Sequence, residues 1–337
     1  MVSKTHAKTR TRVRTRKVRP PIHAKDPRVL GAGSSKFAWK MYPTNQVAVI
    51  NAFDSQILKN KPKNWKLRDW LAYYTEEMKQ EYLFTDYLHR LFGTLIPRVF
   101  LFKEDFFLDR KFRYQKELCL PVEKGETLFH DMFTIEDYLL DQGWVYMDMK
   151  HANLGIRNET YCLVDTDPCH FYRIPDALVP YFRVAAYMVI LLVTHYLPDE
   201  VLTKKMKDLG LDMETLEETY DFFASLTEDD LNELVVYGNT FLDEPFTLTK
   251  VVNPKDFMDA YGGGDPLGIF KHLTRVKLTP SRPKSGRTRA RNSVMGAKGM
   301  GTKGTGTKGT DANVKPTRRT NKPTVRQTIR AASGTKF

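Results

Sequence analysis

Cysteine is scarce in this chain. Three occur, Cys119, Cys162 and Cys169, and they offer neither an even count nor a metal-like spacing. That pattern argues against a disulfide framework and predicts free thiols in a reducing intracellular setting. Long apolar runs are missing too. The most apolar stretch, Val184–Leu197, is interrupted by His195 and falls short of the ~20 residues a membrane span needs. It reads as a buried core helix, and no membrane association is expected. The N-terminus is too basic and too poor in apolar residues for a secretory signal. Both termini lack aromatic residues apart from Phe337, so stacking on bases has nothing to work with there.

Charge is unevenly placed. Of the net +13, residues 1–30 contribute about +9 and residues 276–337 about +15, leaving residues 31–275 at about −11. A mildly acidic body therefore lies between two basic arms. Residues 1–27 alternate Thr with Arg, and residues 276–337 are Ser, Thr, Gly, Lys, Arg and Pro, with a small G-T-K-G-T repeat. Too few apolar side chains are available in either arm to offset the entropy of ordering, so both are expected to be disordered. Such arms neutralise phosphates, and nucleic acid or another polyanion is the expected partner, with little sequence specificity.

The body begins with strands. Residues 28–42 read as strand, tight turn at Gly31 and Gly33, strand, and a third strand covers Gln46–Phe53. Apolar residues at helical spacing predict a long helix over Leu67–Phe92, with a break near Lys79 and Gly93 as its stop. A hairpin with its turn at Asp109–Lys111 follows, then a helix over Phe133–Gln142. Further helices are expected at Leu178–Tyr196, Glu200–Leu209, Met213–Leu226 and Glu228–Phe241, with short ones at Asp256–Ala260 and Leu267–Leu273.

Between them lies the stretch that organises the chain, Val145–Asp167. It reads V-Y-M-D-M-K-H-A-N-L-G-I, a short turn, then Y-C-L-V-D-T-D. Asp148, Lys150 and Asn153 precede an apolar hairpin, and Asp165 follows it. This D-x-K-x-x-N with a later L-V-D resembles the catalytic loop and metal-binding aspartate of the eukaryotic-like protein kinase superfamily. The resemblance covers roughly Arg28 to Tyr196. It implies an α+β, bilobal fold: a β-rich N-terminal lobe over 28–120 and a helical C-terminal lobe over 121–275, with the arms outside both. It also implies ATP and Mg²⁺, or Mn²⁺, as cofactors. Asp148 would orient or deprotonate the attacking hydroxyl, Lys150 would offset charge on the moving phosphoryl group, and Asn153 and Asp165 would ligate the metal through oxygen.

The N-terminal half departs from the family at one place. G-A-G-S-S-K at Gly31–Lys36 looks like a Gly-rich hairpin whose third glycine is Lys36. In V-A-V-I-N, where a phosphate-binding lysine is expected, stand Ile50 and Asn51. The with-no-lysine kinases are similar, and by that likeness Lys36 would reach the phosphates, with Lys40 as the alternative. Glu81 is the best match for the helix glutamate that pairs such a lysine. Leu118–Gly125 looks like the hinge, and Val47, Ala48, Leu120 and Val122 would line a core-like adenine slot.

Tyr146 and Met147 replace the His and Arg of the family's loop, and Asp165-Thr166-Asp167 replaces D-F-G. The segment after Asp165 is short, as in RIO-type atypical kinases. The expected activity is transfer of the γ-phosphoryl group of ATP to Ser or Thr hydroxyls of a protein substrate. The rival expectation is a catalytically silent kinase-fold protein that binds or packages nucleic acid through its arms. Nucleus or virion is the expected location, and such a chain suits a large DNA virus as well as a cellular nuclear or ribosome-associated protein.

Overall fold

The computed structural model describes residues 29–32, 36–41, 46–51, 61–101, 114–239 and 252–278. The expectations for Gly33, for the turn at Asp109–Lys111 and for nearly all of both arms lie outside the described residues. The architecture is α+β with small antiparallel sheets. The chain forms two compact units. One takes the residues up to Glu123 together with His151–Pro168, and the other takes Lys124–Lys150 and most of the chain from Cys169 onward.

In the first unit, β1 (Val29–Ala32), β2 (Lys36–Met41), β3 (Gln46–Asn51), β4 (Val99–Leu101) and β5 (Tyr114–Glu117) form one antiparallel sheet, ordered β1-β2-β3-β5-β4. Its register sets Lys36 across from Asn51, Lys40 across from Val47, and Val47 in turn across from Lys116. Helix α1 (Leu67–Phe92) runs unbroken. The break expected near Lys79 does not occur, because Lys79 sits on the exposed face and pairs with Glu76 one turn back at 3.2 Å. Gly93 ends the helix with φ of 56°, where a side chain would be strained. The buried face carries Met78, Glu81, Phe84, Thr85, Leu88 and Phe92, and Met78 packs with Val99 and Tyr114. Truncating Leu88 to alanine there should cost about 2–5 kcal/mol.

A second sheet in this unit joins β6 (Leu120–Pro121), β8 (Leu154–Arg157) and β9 (Thr160–Leu163) in the order β6-β8-β9. Asn158 and Glu159 both have positive φ, the signature of a tight hairpin turn. Here the free-thiol expectation is corrected: Cys119 and Cys162 are disulfide-bonded, and Cys169 is not part of that bond. Their separation of 43 residues carries no sequence signal, but the sheet brings them together across Gly155, where a Cβ would lie 2.6 Å from that of Cys119.

In the second unit, β7 (Trp144–Tyr146) pairs with β10 (Phe171–Arg173). Helix α2 (Glu126–Asp141) starts seven residues before the expected Phe133, because Leu128 and Phe129 continue its buried stripe. Then follow α3 (Val179–Val193), α4 (Asp199–Asp208), α5 (Met213–Ala224), α6 (Glu228–Asn239), α7 (Pro254–Tyr261) and α8 (Pro266–Leu273). By length and composition alone, Asp176–Val193 is apolar enough to cross a membrane, with mean hydropathy 1.7. In the structure every residue of Ala185–Leu192 is buried, and α3 packs against α2, α5 and α7, as an all-round apolar core helix does.

Candidate active site

The hairpin of β8 and β9 places two candidate metal ligands at one end. Leu154 pairs with Leu163, and the Val164 amide donates to the Asn153 carbonyl at 2.8 Å. Asn153 and Asp165 therefore flank the hairpin's open end, with Asn153 buried and Asp165 half-buried. Both offer oxygen donors, which suit a hard divalent cation.

Against that end stands a lysine that the sequence reading did not single out. Lys116 lies on β5, 5% exposed. Its Nζ donates to the Val164 carbonyl at 2.9 Å and to Thr166 Oγ1 at 3.3 Å, so it grips the residues on either side of Asp165. The same ammonium lies 4.0 Å from Glu81 Oε1 and 5.7 Å from the centroid of the Tyr114 ring. Tyr114 in turn donates its hydroxyl to Glu81 Oε1 at 2.6 Å. Burial, together with the negative charge of Glu81, Asp165 and Asp167, holds the Tyr114 hydroxyl well above the ordinary tyrosine range, so it stays a donor. Thr166 shares a 2.6 Å hydrogen bond with Thr85 of α1, a buried latch between the helix and the residue after Asp165.

Glu81 thus sits on the buried face of α1 with a lysine and a tyrosine as partners, as a carboxylate removed from water requires. The lysine it meets is Lys116 of β5. The side chains of Lys36, Lys40, Val47 and Ala48, and that of Gly31's neighbourhood in the first hairpin, lie outside what is described. The core-like lining expected at the hinge is corrected. Leu120 is 61% exposed, Pro121 is exposed and Val122 is half-buried, because β6 is a two-residue strand on the edge of its sheet.

The second unit holds Asp148 and Lys150. Met147 and Met149, both fully buried, anchor the turn after β7, and the Met147 amide donates to the His170 carbonyl at 2.9 Å. Asp148 is 3% exposed. Lys150 Nζ donates to both of its carboxylate oxygens at 2.8 Å. His170 Nδ1 lies 3.6 Å from Asp148 Oδ2, beyond hydrogen-bond reach. Tyr261, at the end of α7, donates its hydroxyl to Asp148 Oδ1 and accepts a hydrogen bond from Lys150 at 3.0 Å. One turn earlier on the same helix, Phe257 packs edge-on against the His170 ring. Neither Tyr261 nor His170 carried a sequence signal. Within the second unit, Asp148 and His170 offer a carboxylate oxygen and an imidazole nitrogen, donor types that ligate metal ions.

No protein-family profile, curated protein or solved structure matches this chain.

Behind β7, Glu136 of α2 is buried and accepts from the Tyr146 amide at 2.9 Å through Oε1. Its other oxygen makes no hydrogen bond. Burial, reinforced by neighbouring Asp137, pushes its carboxyl up to about 8 despite the Tyr146 bond.

Proposed function

We propose that this chain is a divergent ATP- and Mg²⁺-dependent kinase that transfers a phosphoryl group to Ser or Thr hydroxyls of a protein. The observation that carries the reading is the grip of Lys116 on Val164 and Thr166, beside the hairpin end that bears Asn153 and Asp165. A buried cation and two oxygen donors at one end of a hairpin form the nucleotide-phosphate half of a phosphoryl-transfer centre. Glu81 holds that lysine in place. In this reading Lys116 takes the role expected of Lys36 or Lys40, from the strand paired with β3.

The residues fit the implied metal, since Asn153 and Asp165 supply hard oxygen donors. When bound, the metal neutralises the nucleotide's phosphates. Asp148 accepts the proton of the acceptor hydroxyl, and Lys150 holds its carboxylate in place until then. Met147 replaces the arginine that would answer an activation-loop phosphate, and it is buried. Control of that type has no arginine at this position to act through. The basic arms tether the enzyme to nucleic acid or another polyanion, and that binding should weaken steeply with salt.

The test is a thermal-shift titration of the full chain with ATP, with and without Mg²⁺, followed by transfer from γ-labelled ATP to a basic protein. Metal-dependent stabilisation that is lost in Lys116→Met, with transfer lost in Asp148→Asn, supports the reading. A chain that gains no stability from ATP and Mg²⁺ and transfers no label is not a kinase. A nucleic-acid-binding role through the arms would then be the better account.

A further inference from the structure

Tyr261 holds the place an acceptor hydroxyl would take. Its O–H donates to the carboxylate of Asp148, and Lys150 donates to the same hydroxyl oxygen at 3.0 Å and lies 5.6 Å from the ring centroid. The helix that presents it is fixed at its other end and along its length. Asn253 caps α7 through the Lys255 amide at 2.9 Å and donates to the Phe223 carbonyl at 3.0 Å. Tyr220 donates to Asp259 at 2.7 Å, and Met258 is fully buried. Tyr261 is the last residue of this helix, and Gly263 and Gly264 follow with φ of 64° and 89°. The tyrosine thus stands where a helix frays most readily, next to glycines that tolerate many backbone conformations.

Resting on the kinase reading above, we infer that Tyr261 is an intramolecular phosphoacceptor. Its hydroxyl oxygen attacks the γ-phosphorus of a nucleoside triphosphate. The bond from that phosphorus to the β,γ-bridging oxygen breaks, the nucleoside diphosphate leaves with its electron pair, and the hydroxyl proton passes to Asp148. The product is a phosphotyrosine with a charge of about −1.5 to −2. Beside the Asp148 carboxylate that charge is repelled, so the end of α7 is driven off and Asp148 is released to outside acceptors. The plug removes itself once.

The experiment incubates the full chain with ATP and Mg²⁺ and maps phosphate by mass spectrometry at several protein concentrations. Near-stoichiometric phosphate on Tyr261, formed at a rate independent of protein concentration, is the expected result. Transfer to an added basic protein should show a lag that pre-incubation with ATP removes, and Tyr261→Phe, which lacks the hydroxyl that anchors the ring to Asp148 and Lys150, should transfer from the start without a lag. Metal-dependent ATP binding with phosphate only at other residues overturns the inference and leaves the kinase reading standing. So does labelling of Tyr261 at a rate proportional to concentration. Absence of both ATP binding and phosphate overturns the inference together with the reading beneath it.

Discussion

Each unit contains an acid, a lysine and a tyrosine in mutual contact, and the two sets differ in how much water they see. In the first, Glu81, Lys116 and Tyr114 are at most 5% exposed, and the lysine spends its hydrogen bonds on Val164 and Thr166 while standing 4.0 Å from the acid. In the second, Lys150 bonds both oxygens of Asp148 directly, but its own side chain is 30% exposed. A buried pair is expensive to break, because the survivor is left charged and unpaired, and this makes the first set a fixed frame. A lysine that reaches water can trade partners at little cost, and this suits a group that must release its carboxylate during a reaction. The same three residue types thus make a fixed frame in one place and, on the proposed kinase reading, working parts in the other, with burial as the deciding variable.

On the proposed kinase reading the largest effect should come from Asp148→Asn, which would remove the proton acceptor while keeping the shape. Phosphoryl transfer should fall by about 10²–10⁴-fold in a label-transfer assay with the melting temperature nearly unchanged. A large loss of stability instead would make Asp148 a scaffold residue and erase the contrast. Next, Lys116→Met should cost about 3–5 kcal/mol in denaturant unfolding, because Glu81 is left buried without its cation.

Glu136 provides a control, a buried acid whose hydrogen bond comes from a backbone amide rather than from a lysine or a tyrosine hydroxyl. Its folded pKa of about 8 lies above the ordinary carboxylate value of 4.5, so the native state holds the proton more tightly than the unfolded chain. Its contribution is fully present below about pH 4.5 and is lost as pH rises through about 8, at up to ~1.4 kcal/mol per pH unit. Glu136→Gln should flatten that slope in unfolding measured across pH 5–8, and an unchanged slope would remove Glu136 from the account. Lys150→Met should cost less stability than Lys116→Met, because Lys150 is 30% exposed and its loss lets water reach the Asp148 carboxylate. A cost equal to that of Lys116→Met would collapse the distinction between the two sets.

What could be read in the chain follows the same division. Asp148 and Lys150 are two residues apart, and Asn153 and Asp165 bracket one short hairpin, so local spacing displays them. The resemblance marked Glu81 as a candidate but did not disclose its lysine, which arrives from 35 residues downstream through sheet pairing. A signal was there: in Y-Q-K-E the strand alternation puts Lys116 on the same face as Tyr114, and a lysine on a buried strand face demands a partner. Tyr261 had no such mark. It lies 113 residues beyond Asp148, and the glycines after it read only as the end of an element. The helix expected from Phe133 began at Glu126 because G-E-T-L looks like a loop until Leu128 and Phe129 are counted with the stripe. Leu120 reads as core by composition and is exposed by position, since an edge strand of two residues has no second layer to enter.

The bond between Cys119 and Cys162 makes a covalent ring, and the ring encloses α2, β7, Asp148, Lys150 and Asn153 while Asp165 lies three residues outside it. Closing a loop with a separation of 43 residues restricts the unfolded chain by about 4 kcal/mol in the chain-entropy view. A reductant added to an assay buffer therefore changes the topology of the segment under test. Measurements made with and without dithiothreitol concern two different molecules.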